Sequence, residues 1–195
     1  MGIDNLEQYF AKHQPDQCLA GTRWLLNELR ALSPKVYVEI GCAHLATFGV
    51  YESELPKDGL AIGVDVRSYN QWDTYQSLSG CEFHLVKGDS SNPDTISKVK
   101  GLLGGRQIDF LFIDGCHDYY EVKSDWEQFS PLVRSGGFVA FHDCDIQAAR
   151  QHGFNFPGAR CGGQGAGMVA DELQRSGRRV EFVPGTFIGT GVVRI

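Results

Sequence analysis

The feature that most restricts this chain is a strand–helix alternation beginning at Val36. Short apolar stretches fall at about 36–40, 60–65, 82–87, 108–113 and 136–142, separated by helical periodicity at about 45–54, 70–79, 93–103 and 118–133. Alternation of this kind means parallel strands joined by right-handed crossovers. Leu60–Val64 and Phe110–Ile113 are apolar without alternating, as expected of strands covered by helices on both faces. Two helices, 5–13 and 17–32, precede the first strand; the second carries Cys18, Leu25, Leu29 and Leu32 on one side and stops at Ser33-Pro34. After a further helix at 166–176, Arg179–Val183 and Phe187–Val193 flank Pro184-Gly185-Thr186 and read as an antiparallel hairpin. The expectation is one α/β domain over 1–195, with a helical cap at 1–34 and a glycine-rich lid at 145–165 that holds His152, Phe154, Phe156 and Arg160. Within 118–133, Tyr119, Val122, Trp126, Phe129 and Val133 form the core-facing stripe, which leaves Asp125 off it, pairing locally.

Bulk properties narrow the function classes. At 195 residues, 42% hydrophobic and 22% charged, the composition is that of a globular domain with a sizeable core. A formal charge of −6 disfavours a surface that tracks phosphates, so nucleic acid is not an expected partner. No stretch approaches the roughly 20 apolar residues needed to span a bilayer, and the N-terminus lacks a basic region followed by an apolar one. Six cysteines without a C-x-x-C pair point to reduced thiols. A soluble cytoplasmic protein acting on a small molecule is expected, with a homodimer as an allowed assembly.

Chemistry is expected beyond the carboxyl ends of the strands, where open α/β sheets bind ligands. Val38-Glu39-Ile40-Gly41 closes the first strand, and Gly41 lets backbone approach a ligand closely. Asp65 closes the second, in Gly63-Val64-Asp65-Val66, where an acid can accept both hydroxyls of a ribose. The third ends Gly88-Asp89-Ser90, which either meets a ligand or caps the helix starting near Pro93. The fourth ends Ile113-Asp114-Gly115-Cys116-His117-Asp118 and the fifth His142-Asp143, so carboxylate and imidazole arrive at one edge from two strands. Asp114 alternatively caps the following helix. His13, His44, His84 and His152 read as structural.

Together with Ser135-Gly136-Gly137-Phe138, these elements resemble class I S-adenosylmethionine-dependent methyltransferases over roughly residues 36–143. The subgroup most resembled contains small bacterial O-methyltransferases related to the sugar methyltransferases of macrolide and aminocoumarin biosynthesis, and to cephalosporin-hydroxylase-like proteins. The resemblance implies a Rossmann-like, mostly parallel seven-stranded sheet in the order 3-2-1-4-5-7-6. It places Glu39, Gly41 and Thr47 by the methionine portion, Asp65 and Val66 by the ribose, Asp89 and Ser90 at adenine, and Asp114 and His117 facing substrate. Where the family carries further glycines after Gly41, this chain has Cys42-Ala43-His44-Leu45-Ala46-Thr47.

Some members hold a divalent ion at the ends of the fourth and fifth strands, which here implies Asp114, Asp143 and His142 as ligands for Mg²⁺ or another divalent cation. An alcohol acceptor also needs a base; His117 and His142 lead, with Asp143 completing the catalytic set and Asp118 and Asp145 behind them. The alternatives are a non-catalytic nucleotide- or S-adenosylmethionine-binding module, suggested by the missing glycines, and a nicotinamide-dependent oxidoreductase, which the absent G-x-G-x-x-G argues against.

Overall fold

The computed structural model describes residues 3, 5–145, 164–183 and 189–195. Helices α1 (Leu6–His13) and α2 (Leu19–Leu32) precede β1 (Val36–Ile40), α3 (Ala46–Glu52), β2 (Leu60–Asp65) and β3 (Glu82–Lys87). There follow α4 (Pro93–Leu103), β4 (Ile108–Ile113), α5 (Tyr119–Phe129), β5 (Val133–His142), α6 (Gly165–Arg175), β6 (Val180–Phe182) and β7 (Thr190–Arg194). The seven strands form one sheet in the expected order, β3-β2-β1-β4-β5-β7-β6. Strands β1 to β5 pair in parallel, while β7 runs antiparallel between β5 and β6. Most of the expected lid (146–163) and the hairpin turn (184–188) lie outside the described residues. Among the described residues no helix is long and apolar enough to cross a membrane.

The strands divide their side chains by chemistry. Val36, Val38, Ile40, Leu111, Ile113, Val139 and Phe141 join one buried cluster with α4, α5 and α6. Tyr37, Phe110, Phe112, Phe138 and Ala140 join the other, with Leu25 and Leu29 from α2 and Phe48 from α3. Tyr37 stacks on Phe110 at 5.1 Å and Phe110 meets Phe138 at a tilt at 4.7 Å, so the aromatic face ties three neighbouring strands. Near the opposite edge from the site, buried Asp109 accepts the backbone N–H groups of Lys35 (2.7 Å) and Val36 (2.8 Å) and pairs with Arg134. One side chain thereby latches the starts of β1, β4 and β5.

Two expected helices are corrected. In place of a helix at 70–79 there is a 3₁₀ turn, Asn70–Asp73, followed by irregular chain. Its cause is Glu52, fully buried at the end of α3, whose carboxylate takes the N–H groups of Leu78 (3.0 Å) and Ser79 (3.3 Å). The hydroxyls of Tyr75, Ser77 and Ser79 and the thiol of Cys81 turn to the same carboxylate. Backbone donors committed to a side chain are lost to a helix. The helix at 118–133 ends at Phe129, because Pro131 has no N–H to continue it; a 3₁₀ turn (Ser130–Leu132) leads into a β5 that starts at Val133. Asp125 is also corrected: instead of pairing locally at the surface it is 1% exposed.

Candidate functional site

The first-strand turn sets the geometry. Gly41 has φ +91° and its N–H donates to Val64 O (2.8 Å), while Asp114 N donates to Ile40 O (2.8 Å). A Cβ on residue 41 would stand 2.2 Å from the Asp114 carbonyl oxygen, so the ends of β1 and β4 close together only over glycine. The glycines absent from the following loop reappear as backbone strain: Ala43 (φ 38°) and Leu45 (φ 68°) both take the left-handed region. Each costs about 1 kcal/mol, an expense typical of functional loops.

Asp65 holds that loop. Its Oδ2 accepts Ala43 N and its Oδ1 accepts Arg67 N, both at 2.9 Å, leaving a lone pair on each oxygen for a ligand. The indole N–H of Trp72 adds a bond to Ala43 O at 2.9 Å. Asp89 is not a helix cap; Asn92 caps α4, and Asp89 Oδ1 accepts the N–H and hydroxyl of Ser91. Nor does Asp114 cap α5, a role taken by Asp118, which the turn thereby withdraws from the candidate bases.

Two cavities meet at these residues. One, of about 510 Å³, is lined by Gly41, Asp65, Val66, Asp89, Ser90 and Asp114 among others. The second, of about 420 Å³, is lined by Glu39, Thr47, His13, Asp16, His44 and Gln71 among others, and shares Gly41, Ala43 and Asp114 with the first. Of the expected cofactor-contacting residues, Glu39, Gly41, Thr47, Asp65, Val66, Asp89, Ser90 and Asp114 line two adjoining spaces with Asp114 at the junction, whereas His117 lines neither. Glu39 is buried beneath it and bonded to the Tyr37 hydroxyl (2.5 Å); burial, with the charges of Asp114 and Asp65, pushes its carboxyl well above the usual range.

At the junction His142 Nδ1 lies 3.0 Å from Asp114 Oδ1 and 3.2 Å from Asp143 Oδ1, and His117 Nδ1 lies 3.6 Å from Asp143 Oδ2. Burial opposes the charge on His142, but the charge and hydrogen bond of Asp114, with Asp143 and Asp16, outweigh it and push the imidazole up to about 9. Asp143 itself takes a left-handed φ of 52° to turn its carboxylate inward. Sequence reasoning missed Gln17, whose Nε2 donates to Asp114 Oδ2 at 2.8 Å from the segment joining α1 and α2. Nothing local marks a lone glutamine for that role.

The expected metal ligands therefore meet, but as an ion-pair cluster. A ring nitrogen of His142 stands between the two carboxylates, where a shared cation would sit, and no three His, Cys, Asp or Glu side chains among the described residues are arranged to hold a metal. This placement does not fit a coordinated ion.

A seven-stranded sheet in this order, ending in an antiparallel strand pair and carrying its cavities at the carboxyl ends of β1, β2, β3 and β4, is the architecture of the Rossmann-like methyltransferases. Residues 20–144 match the sequence family described as a methyltransferase domain, family 24, and the chain belongs to that family. An uncharacterized protein of Sinorhizobium fredii, y4gI, is 26% identical over 140 residues, covering 67% of this chain; the chain spans only 15% of that protein's length. Among solved structures, an O-methyltransferase from Bacillus cereus in complex with S-adenosylhomocysteine is similar in fold at TM-score 0.67 and 15% identity, covering 97% of this chain and 90% of that one. The S-adenosylhomocysteine-bound Podospora anserina methyltransferase PaMTH1 gives 0.65 at 19%, covering 100% and 89%. The MycE methyltransferase of mycinamycin biosynthesis, in complex with Mg, S-adenosylhomocysteine and mycinamycin VI, gives 0.66 at 16%, covering 99% of this chain and 53% of that one.

Proposed function

We propose that this chain transfers a methyl group from S-adenosylmethionine to an oxygen of a small hydroxylated molecule. The observation that carries this reading is the junction at Asp114, where a cavity sized for a nucleoside meets a second, polar cavity and a histidine–carboxylate cluster. PaMTH1 and the Bacillus cereus O-methyltransferase, which share the fold with S-adenosylhomocysteine bound, support the donor, and the latter supports oxygen as the acceptor atom.

When bound, the donor supplies an electrophilic methyl group. Asp65 accepts the ribose hydroxyls, Val66 flanks them, and Asp89 and Ser90 meet the base, while Glu39, Gly41 and Thr47 surround the amino-acid end. The acceptor lies toward His13, Asp16, His44 and Gln71, whose donors and acceptors suit hydroxyl groups. An alcohol must lose its proton as it attacks, and His117, outside the lining of the two cavities and 3.6 Å from the Asp143 carboxylate, is the base that turns to the acceptor when it binds. His142, held in its charged form, is a poor base at neutral pH; between Asp114 and Asp143 it offsets the carboxylates' repulsion of an electron-rich oxygen.

Thermal unfolding with S-adenosylhomocysteine tests the reading. At a hundredfold excess over Kd, the midpoint of the wild type should rise by about 5–10 °C. Asp65→Ala should remove that rise, and His117→Ala should keep it while losing turnover of an accepted substrate. A wild type that does not respond to saturating ligand would end the proposal.

The MycE complex holds Mg, whereas the cluster at Asp114 in this chain is closed to an ion by His142. Here an ion would require His142 to leave the two carboxylates. His142→Ala vacates that position, and Mn²⁺ should bind it about tenfold or more tightly than it binds wild type by calorimetry, the gain expected when two carboxylates lose an internal counter-ion. Equal, weak affinities in both proteins would show that His142 is not what keeps an ion from the two carboxylates.

A further inference from the structure

Glu39 is a buried carboxyl without a cation. On β1 it follows Tyr37 by two residues, so both side chains leave the same face of the strand, and its partners in register are Gly63 on β2 and Phe112 on β4. It is 1% exposed, and the Tyr37 hydroxyl, 2.5 Å from Oε2, is the one hydrogen-bond partner of its carboxyl among the described residues. Oε1 carries no hydrogen bond, and Glu39 lines the second cavity. The ionisable groups that share its field are Asp65 at the end of β2, Asp114 after β4, Cys42 after β1, Tyr51 on α3 and Tyr9 on α1. Every one is neutral or negative. His13, Asp16 and His44 line the same cavity, and none of them is bonded to it. An anion here would be desolvated among other acids with no positive partner, a state that buried carboxyls avoid by keeping their proton. Burial is the largest cause of the raised carboxyl; the Tyr37 bond opposes it, and Asp114 and Asp65 add to it.

A ligand that brings a positive charge reverses this balance. S-adenosylmethionine and S-adenosylhomocysteine both carry an α-ammonium at the amino-acid end, the end placed above against Glu39. We propose that donor uptake is proton-coupled: the arriving ammonium pairs with Glu39 as its carboxyl gives up a proton to solvent, and the Tyr37 hydroxyl, donating to Oε2, holds the new carboxylate with Oε1 toward the ammonium. The O–H bond of the carboxyl breaks, the ligand keeps all of its N–H bonds, and no covalent bond to the protein forms. Tyr37 is thus a positioning residue for the donor. While the cavity is empty a neutral acid spares the strand ends the repulsion of a third carboxylate beside Asp65 and Asp114. Because the free protein holds the proton and the complex does not, affinity rises with pH and levels off once free Glu39 ionises by itself. This inference rests on the reading that the second cavity receives the donor's amino-acid end.

Calorimetry of the intact protein in buffers of different ionisation enthalpy counts the protons. With S-adenosylhomocysteine at neutral pH, wild type should release about one proton per ligand bound, and its affinity should strengthen by up to about tenfold per pH unit. Methylthioadenosine, which has the nucleoside and the sulfur but no ammonium, should bind without release. Glu39→Gln keeps the shape and cannot ionise; it should end the release, flatten the pH response and weaken S-adenosylhomocysteine about tenfold or more, with methylthioadenosine held within about threefold of wild type. Tyr37→Phe keeps the ring that stacks on Phe110 and should weaken S-adenosylhomocysteine about tenfold, again sparing methylthioadenosine. Lost packing alone would weaken both ligands together. S-adenosylhomocysteine binding without proton release, a release that methylthioadenosine shows equally, or one that survives in Glu39→Gln would overturn the inference and leave the adenosyl reading standing. The two wild-type titrations decide even if a variant fails to fold. Wild type that binds neither ligand would overturn the adenosyl reading and this inference with it.

Discussion

Gly41→Ala should weaken S-adenosylhomocysteine binding by about a hundredfold or more, equivalent to roughly 3 kcal/mol. Two effects combine at this residue. Any side chain at φ +91° strains the backbone, and the new Cβ would lie 2.2 Å from Asp114 O and 2.5 Å from Gly115 Cα, atoms of the neighbouring strand end rather than of a flexible side chain. The only relief is to separate β1 from β4 where Asp114 N bonds Ile40 O, which moves Asp114 away from both cavities. Stability should fall as well, by roughly 2–4 kcal/mol in denaturant titration. Binding within threefold of wild type would mean that the turn at the end of β1 does not position the ligand.

The largest loss of stability is expected at Glu52, far from the chemistry. Its carboxylate is fully buried and collects donors from Tyr75, Ser77, Leu78, Ser79 and Cys81, so the segment after the 3₁₀ turn is wound around it. Glu52→Ala leaves two backbone N–H groups and several hydroxyls without their acceptor and opens a cavity beneath them. The cost should be roughly 3–5 kcal/mol, measured as a drop in the urea midpoint at unchanged slope. Glu52→Gln should cost somewhat less, because one oxygen survives while the new amide turns a donor toward donors. A loss below about 1 kcal/mol in Glu52→Ala would show that the segment finds other acceptors.

The same residue explains where sequence reading stopped. The five parallel strands were legible because helices cover both sheet faces, which makes each strand a continuous apolar run whose length is visible locally. The acids at their ends were legible for the same reason, as the first polar residues after such runs. The helix expected at 70–79 was not, because the acceptor that overrides it lies more than twenty residues earlier on α3. At α5 the fault lay in choosing the stripe by apolarity. The buried positions are Asp118, Val122, Asp125 and Phe129, spaced by four, three and four residues, whereas Tyr119 and Trp126 are only half-buried. Helical geometry had marked position 125, and its acidity argued it away. The histidine–carboxylate cluster was legible as an assembly of residues, but the insertion of His142 between Asp114 and Asp143 depends on the left-handed turn at Asp143, which no pattern in the chain announces.

The Asp109 latch bears on the order in which the chain can organise itself. β1 lies inside the sheet, between β2 and β4, and the two N–H groups at its start are held by a residue more than seventy positions later. A nascent chain that has produced β1, α3 and β2 therefore lacks both a neighbour for one edge of β1 and the acceptor for its first donors. Until β4 has been synthesised, β1 has one unpaired side, an exposed edge for chaperones to shield rather than part of a unit that folds as it emerges.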